Sequence, residues 1–132
     1  KLFYEQGLGL QTAIAFQAAG SPFDSLLGVK KLDKLDFATL TADGNWTGKV
    51  ELLELETGEN PINTNELADL AHTGYTLVTF LAKDLDAVAE SCRKVGAEII
   101  VAPKEFERPF HEGKRAMIVC SLGGEYLEVI EY

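Results

Sequence analysis

Only two cysteines, one methionine, one tryptophan and four prolines occur among the 132 residues of this chain. Two cysteines cannot staple a small domain, and Cys92 and Cys120 are too far apart for a C-x-x-C pair, so no disulfide framework is expected and a cytoplasmic location is the default. No apolar run approaches the ~18 residues that a membrane helix needs, and no secretory leader is visible. Basic residues are scarce as well: 12 Lys and Arg stand against 21 Asp and Glu, a net charge of −9 with His neutral. The densest basic stretch, Lys30-Lys31-Leu32-Asp33-Lys34, is short and broken by an acid, which is the wrong pattern for counterion release from a polyanion. Neither a nucleic-acid nor a membrane partner is expected. No Walker loop, dinucleotide fingerprint or Ser/His/Asp order is present, and the Asn45-Trp46-Thr47 sequon is discounted in a cytoplasmic chain.

What is present is the make-up of one globular domain, 46% hydrophobic and 25% charged, near the commonest domain size and long enough to bury roughly two thirds of its unfolded surface. Residue 1 is Lys, and Leu2 to Gly7 reads as the tail of an amphipathic helix already under way, so the first module is expected to lack its first strand. Gln11 to Phe16 is β-prone. Ser21-Pro22 with Asp24 reads as a helix start with Ser21 as N-cap, stopped by Gly28. Leu35 to Ala42 and Lys49 to Glu56 are strand candidates joined through Asp43-Gly44, a pair suited to positive φ, and are expected to pair antiparallel.

Thr57 to Thr73 reads as a connector. Beyond it, Gly74 to Leu81 is a strand and Asp84 to Val95 the clearest helix, with Leu85, Val88, Ala89, Cys92 and Val95 on one stripe. Its ends agree: Asp84 can cap, Arg93 and Lys94 sit by the negative end of the dipole, and Gly96 suits the left-handed position after the helix. Cys92 is then a packing thiol. Three strands follow, Ala97 to Ala102, Arg115 to Cys120 and Tyr126 to Tyr132, with Gly123-Gly124 turning between the last two. The second half therefore reads strand, helix, strand, strand, strand, and the first half the same without its first strand.

The last strands of the two halves also match in letters. Val50-Glu51-Leu52-Leu53-Glu54-Leu55 and Leu127-Glu128-Val129-Ile130-Glu131-Tyr132 share the order apolar, Glu, apolar, apolar, Glu, apolar. Alternation places Glu51 with Leu53 and Leu55, and Glu128 with Ile130 and Tyr132, so each strand carries a carboxylate among apolar neighbours on both faces. A partly buried carboxylate must be protonated, hydrogen-bonded or bound to a cation. Glu51 and Glu128 are therefore the candidate catalytic pair, set against the alternative of solvated ends or Lys and Arg partners.

With Phe3-Tyr4, Leu8-Gly9-Leu10, the two Glu motifs, Gly74, Phe80, Asp84-Leu85-Asp86, Gly96-Ala97-Glu98 and Gly124-Glu125-Tyr126, the chain resembles the vicinal oxygen chelate superfamily of glyoxalases, bleomycin-resistance proteins and extradiol dioxygenases. The resemblance implies an α+β fold of paired βαβββ modules, with a mixed sheet curled around a cavity. Residues 1–56 would be the first module, 57–73 the connector and 74–132 the second module of a single domain. It also implies a divalent metal with one ligand from each of four strands: Glu51 falls on the second position and Glu128 on the fourth, while the first lies upstream of Lys1. The third, usually His, falls on Leu77, which cannot coordinate. Two carboxylates without imidazole suit a hard, oxygen-preferring cation better than Zn, Ni or Fe. Tyr75, Leu77 and Thr79 are expected to line a ligand cavity, and His111, in the loop Lys104 to Gly113, to close over it or shuttle a proton. The function implied is small-molecule binding by a lyase, isomerase or dioxygenase, with metal-free sequestration of a ligand as the alternative, in a homodimer.

Overall fold

The computed structural model describes residues 1–45, 47–58, 77–106 and 113–132. Its α+β elements divide into two units, one of Lys1 with Leu10–Ile62, the other of Leu2–Gly9 with Asn63–Tyr132.

In the first unit, strands β1 (Gln11–Ala18), β2 (Lys34–Thr41) and β3 (Val50–Glu56) form one antiparallel sheet in the order β1-β2-β3. The turn between β2 and β3 uses Asp43 and Gly44 at φ of 51° and 70°, the conformation that an Asp-Gly pair tolerates best. The short helix after β1 departs from expectation in its first turn. It spans Phe23–Leu27, and Pro22 rather than Ser21 holds the N-cap position, with no side chain capping. The carbonyl of Gly20 accepts from Phe23 and Asp24 N–H instead, at 3.0 and 3.2 Å, so backbone satisfies the donors that Ser21 was expected to serve. Gly28 ends the helix in the left-handed region.

The second unit opens with α1 (Phe3–Gly7), a π-helical turn closed by Leu8 N–H on the Phe3 carbonyl at 3.1 Å; calling the Phe23–Leu27 helix α2, the long helix α3 is Leu85–Lys94. Strands β4 (Val78–Ala82), β5 (Glu98–Glu105), β6 (Arg115–Cys120) and β7 (Tyr126–Glu131) form a sheet ordered β4-β7-β6-β5. β4 and β7 run parallel, the other pairs antiparallel. Strands β1-β2-β3 repeat the connectivity of β5-β6-β7, which is the internal repeat seen in the letters.

Asp84 caps α3 by accepting from Ala87 N–H at 2.9 Å, and Gly96 follows at φ 86°. Leu85, Ala89 and Cys92 of this helix are buried, together with Met117, Val119, Leu127 and Val129 of the sheet. Gly7 lets α1 approach α3: a Cβ there would lie 3.3 Å from Phe3 and 3.5 Å from both Cys92 Sγ and Val95.

Candidate functional site

β7 resolves the two-faced carboxylate pattern. Leu127 and Val129 are buried on the face that carries α3, and Glu131 shares that face. Its Oε1 accepts from Leu85 N–H at 3.2 Å, while Oε2 lies 3.6 Å from Arg115, which in turn forms a bidentate pair with Asp86 at 2.8 and 2.9 Å. Arg115 holds the Asp86 carboxyl below the usual carboxylate range, chiefly through these hydrogen bonds. This second Glu of the motif is thus committed to seating the helix.

Glu128 points the other way, on a half-open face shared with Tyr126 and Ile130 of β7, Ile118 and Cys120 of β6, and Thr79 and Leu81 of β4. Thr79 and Glu128 are direct partners across the parallel pair, and Thr79 Oγ1 donates to Glu128 Oε2 at 2.9 Å. A carboxylate oriented by a neighbouring hydroxyl on a largely apolar face can anchor a donor group of a small molecule, or take a proton from one. Burial, Glu98 and Glu125 push the Cys120 thiol up, so it stands on this face as a thiol and not as a nucleophile.

In the first unit the matching Glu51 sits on the face formed by Ile14, Phe16, Phe37, Thr39, Thr41, Leu53 and Leu55. Its Oε1 is 2.7 Å from Lys49 Nζ, and both side chains are exposed. Phe16 stacks on Phe37 with ring centroids 4.8 Å apart, and Phe23 of α2 closes on Phe16 at 5.9 Å. Directly across from Glu51 stands Thr39, 2% exposed, with Thr41 equally buried one step along β2.

Of the sequence-derived candidates, Thr79 and Glu128 are brought into hydrogen-bond contact within the second unit. Leu77 is half-buried, immediately ahead of β4. Tyr75 and His111 lie outside the described residues. Among the described residues no group of three or more His, Cys, Asp and Glu could hold a metal ion, and no helix is long and apolar enough to cross a membrane. Sequence reasoning missed Phe16, Phe37, Thr39 and Thr41. The signal was available in principle, since the Asp43-Gly44 turn sets which β2 residue faces Glu51, but loop length had to be known to count the register.

No protein-family model and no curated protein matches the chain in sequence. Solved structures match it in shape. A glyoxalase family protein from Bacillus cereus superposes at a TM-score of 0.79 with 18% identity, over 95% of this chain and 79% of its own. A glyoxalase/bleomycin resistance protein/dioxygenase domain from Frankia gives 0.63 at 17% identity, over 98% and 83%. A member of the same superfamily from Sphaerobacter thermophilus gives 0.55 at 17%, over 98% and 83%. At these identities the likeness is one of fold, and the fold is that of the glyoxalase/bleomycin resistance/dioxygenase superfamily, the vicinal oxygen chelate architecture that the motifs resemble.

Proposed function

We propose that this chain is a small-molecule-binding protein of the glyoxalase/bleomycin resistance/dioxygenase kind, holding an organic ligand by a half-open sheet face without a resident metal. The observation that carries the reading is the Thr79–Glu128 hydrogen bond on an apolar face that α3 leaves uncovered. An apolar surface with one fixed polar group gives a ligand burial energy and orientation together.

The donor set supports the metal-free form. Leu77 brings no coordinating atom to the position where the resemblance puts His, Glu128 Oε2 accepts from Thr79, and Glu51 Oε1 is paired with Lys49. A second reading, proton transfer within a bound substrate, is favoured by the same hydrogen bond, because Thr79 orients a carboxylate that can serve as a base.

The test is amide and methyl chemical-shift mapping against a panel of small organic compounds. Binding that perturbs Thr79, Leu81, Ile118 and Ile130, and that weakens in Glu128→Gln, supports the reading. Perturbations that avoid this face throughout the panel overturn it. Turnover of any bound compound that Glu128→Gln abolishes while affinity persists selects the enzymatic form; binding without turnover selects sequestration.

A further inference from the structure

Among the described residues the sheets leave four strand edges, β1 and β3 in the first unit and β4 and β5 in the second. An open edge presents unpaired N–H and C=O groups, and proteins that stay monomeric blunt it with charge, proline, a bulge or short length. β5 carries Glu98, Pro103, Lys104 and Glu105, with register breaks between Ile99 and Val101 and between Val101 and Lys104. β3 carries Glu51, Glu54 and Glu56. β4 is five residues long and runs directly into Lys83-Asp84. β1 is eight residues long and holds neither a charge nor a proline: Gln-Thr-Ala-Ile-Ala-Phe-Gln-Ala. Its irregularity lies between Thr12 and Ile14, and from Ile14 to Ala18 it pairs with β2 in unbroken register. Ala13 to Gln17 are all exposed, Ile14 at 43% and Phe16 at 40%.

We propose that β1 is a self-association edge, at which two copies of this chain pair antiparallel about a twofold axis and join their three-stranded sheets into one. With Phe16 opposite the partner's Phe16, the register sets Ile14 against the partner's Ala18 and Ala15 against the partner's Gln17, so apolar meets apolar on the ring-bearing side. Phe16 already stacks on Phe37 at 4.8 Å, and the twofold continues that row of rings across the joint. Charge favours a second copy at this edge over the others. Each copy carries a net charge of −9, yet the pairing sets no ionised group against its like. Asp36, the β2 neighbour of Gln17, accepts from the Gln17 amide at 2.5 Å and pairs with Lys34 at 2.7 Å. β3 against β3 would instead set a row of glutamates against itself. That acidic edge lies at both ends of the joined sheet and stops growth at two copies.

A joint of this size lies at the low end of specific interfaces, so a dissociation constant on the order of 10–100 μM is expected. Sedimentation equilibrium across that range should show monomer and dimer alone, and added salt should tighten the dimer by screening the like net charge of the two copies. Amide hydrogen exchange at Ile14 to Ala18 should slow as concentration rises. Phe16→Lys sets two ammonium groups opposite each other and should weaken the dimer about tenfold or more. Ala15→Lys, at an exposed position on the other side of β1, should weaken it as well and keeps the test available should Phe16→Lys unfold. Far-UV circular dichroism separates a lost contact from a lost fold. Val78→Lys, on the β4 edge, should leave the dimer unchanged. A monomer throughout the range, assembly beyond two copies, or a dimer that both β1 variants leave intact overturns the proposal. So does a dimer that is lost in Val78→Lys.

Discussion

Thr79 and Glu128 face each other on parallel strands, and Thr79 Oγ1 donates to Glu128 Oε2 at 2.9 Å. A glutamine at 128 can still accept that bond through its amide oxygen, so Glu128→Gln should change unfolding free energy by no more than about 0.5 kcal/mol. Thr79→Val removes the donor on an exposed surface where water replaces it, at a cost of about 0.5–1 kcal/mol. Urea unfolding checks both. A large loss in Glu128→Gln would make the carboxylate a structural group and remove it from the candidate site.

The contrast with Glu131, three residues on, gives the next prediction. Glu131 accepts from Leu85 N–H at the first turn of α3, a donor with no partner inside the helix. Glu131→Ala should cost about 1 kcal/mol, the usual effect of losing such a cap. The two Glu of the β7 motif are thus expected to separate, with Glu131→Ala costing more stability than Glu128→Gln.

Acid titration reads the neighbouring Arg115–Asp86 pair. The folded carboxyl of Asp86 is held below its ordinary range by Arg115, so the pair's contribution is present above the unfolded Asp value and is lost as pH falls through the folded one. Wild type and Asp86→Asn should therefore converge in stability at acid pH and separate, by a small salt-sensitive amount, near neutrality. A pH-independent difference between them would mean that Asp86 acts through packing.

Much of this architecture was legible in the sequence where a local rule acted alone. α3 shows its cap, stripe, basic end and terminal glycine in order, and Asp43-Gly44 marks the β2–β3 turn at positive φ as read. Ser21 failed as a cap because a backbone carbonyl from Gly20 took its place, a competitor that carries no letter. Alternation sorted Glu51 and Glu128 onto faces, but not which face stays open. For Glu128 that depends on where α3 lands, and the Leu85–Glu131 bond helps to seat it. Thr39 was invisible for a related reason: its meaning comes from standing opposite Glu51, and register is set by pairing and loop length rather than by composition.

Tyr4 supplies a prediction at the alkaline end. Burial, with Glu125 nearby, pushes its phenol up to about 12. In the unfolded chain the group ionises near 10, so between these values the unfolded state has lost a proton that the folded state keeps, and stability falls as pH rises through that window. Tyr4→Phe removes this pH dependence. Ultraviolet titration should show a late-ionising tyrosine in the folded protein that is missing from Tyr4→Phe, and the wild type should lose more stability than Tyr4→Phe between pH 10 and 12. Equal losses would place the Tyr4 hydroxyl in solvent.

Thr39 yields a prediction of opposite sign to most core substitutions. Its side chain is buried on the central strand of its sheet, and its hydroxyl has no partner among the described residues. Burying a hydroxyl without a hydrogen bond costs about 1–3 kcal/mol, and valine fills the same volume without that cost. Valine also suits a strand at least as well as threonine. Thr39→Val should therefore raise the unfolding free energy of the ligand-free protein by about 1 kcal/mol, read by urea or thermal unfolding. Loss of stability in Thr39→Val would instead show that the hydroxyl is already satisfied within the protein.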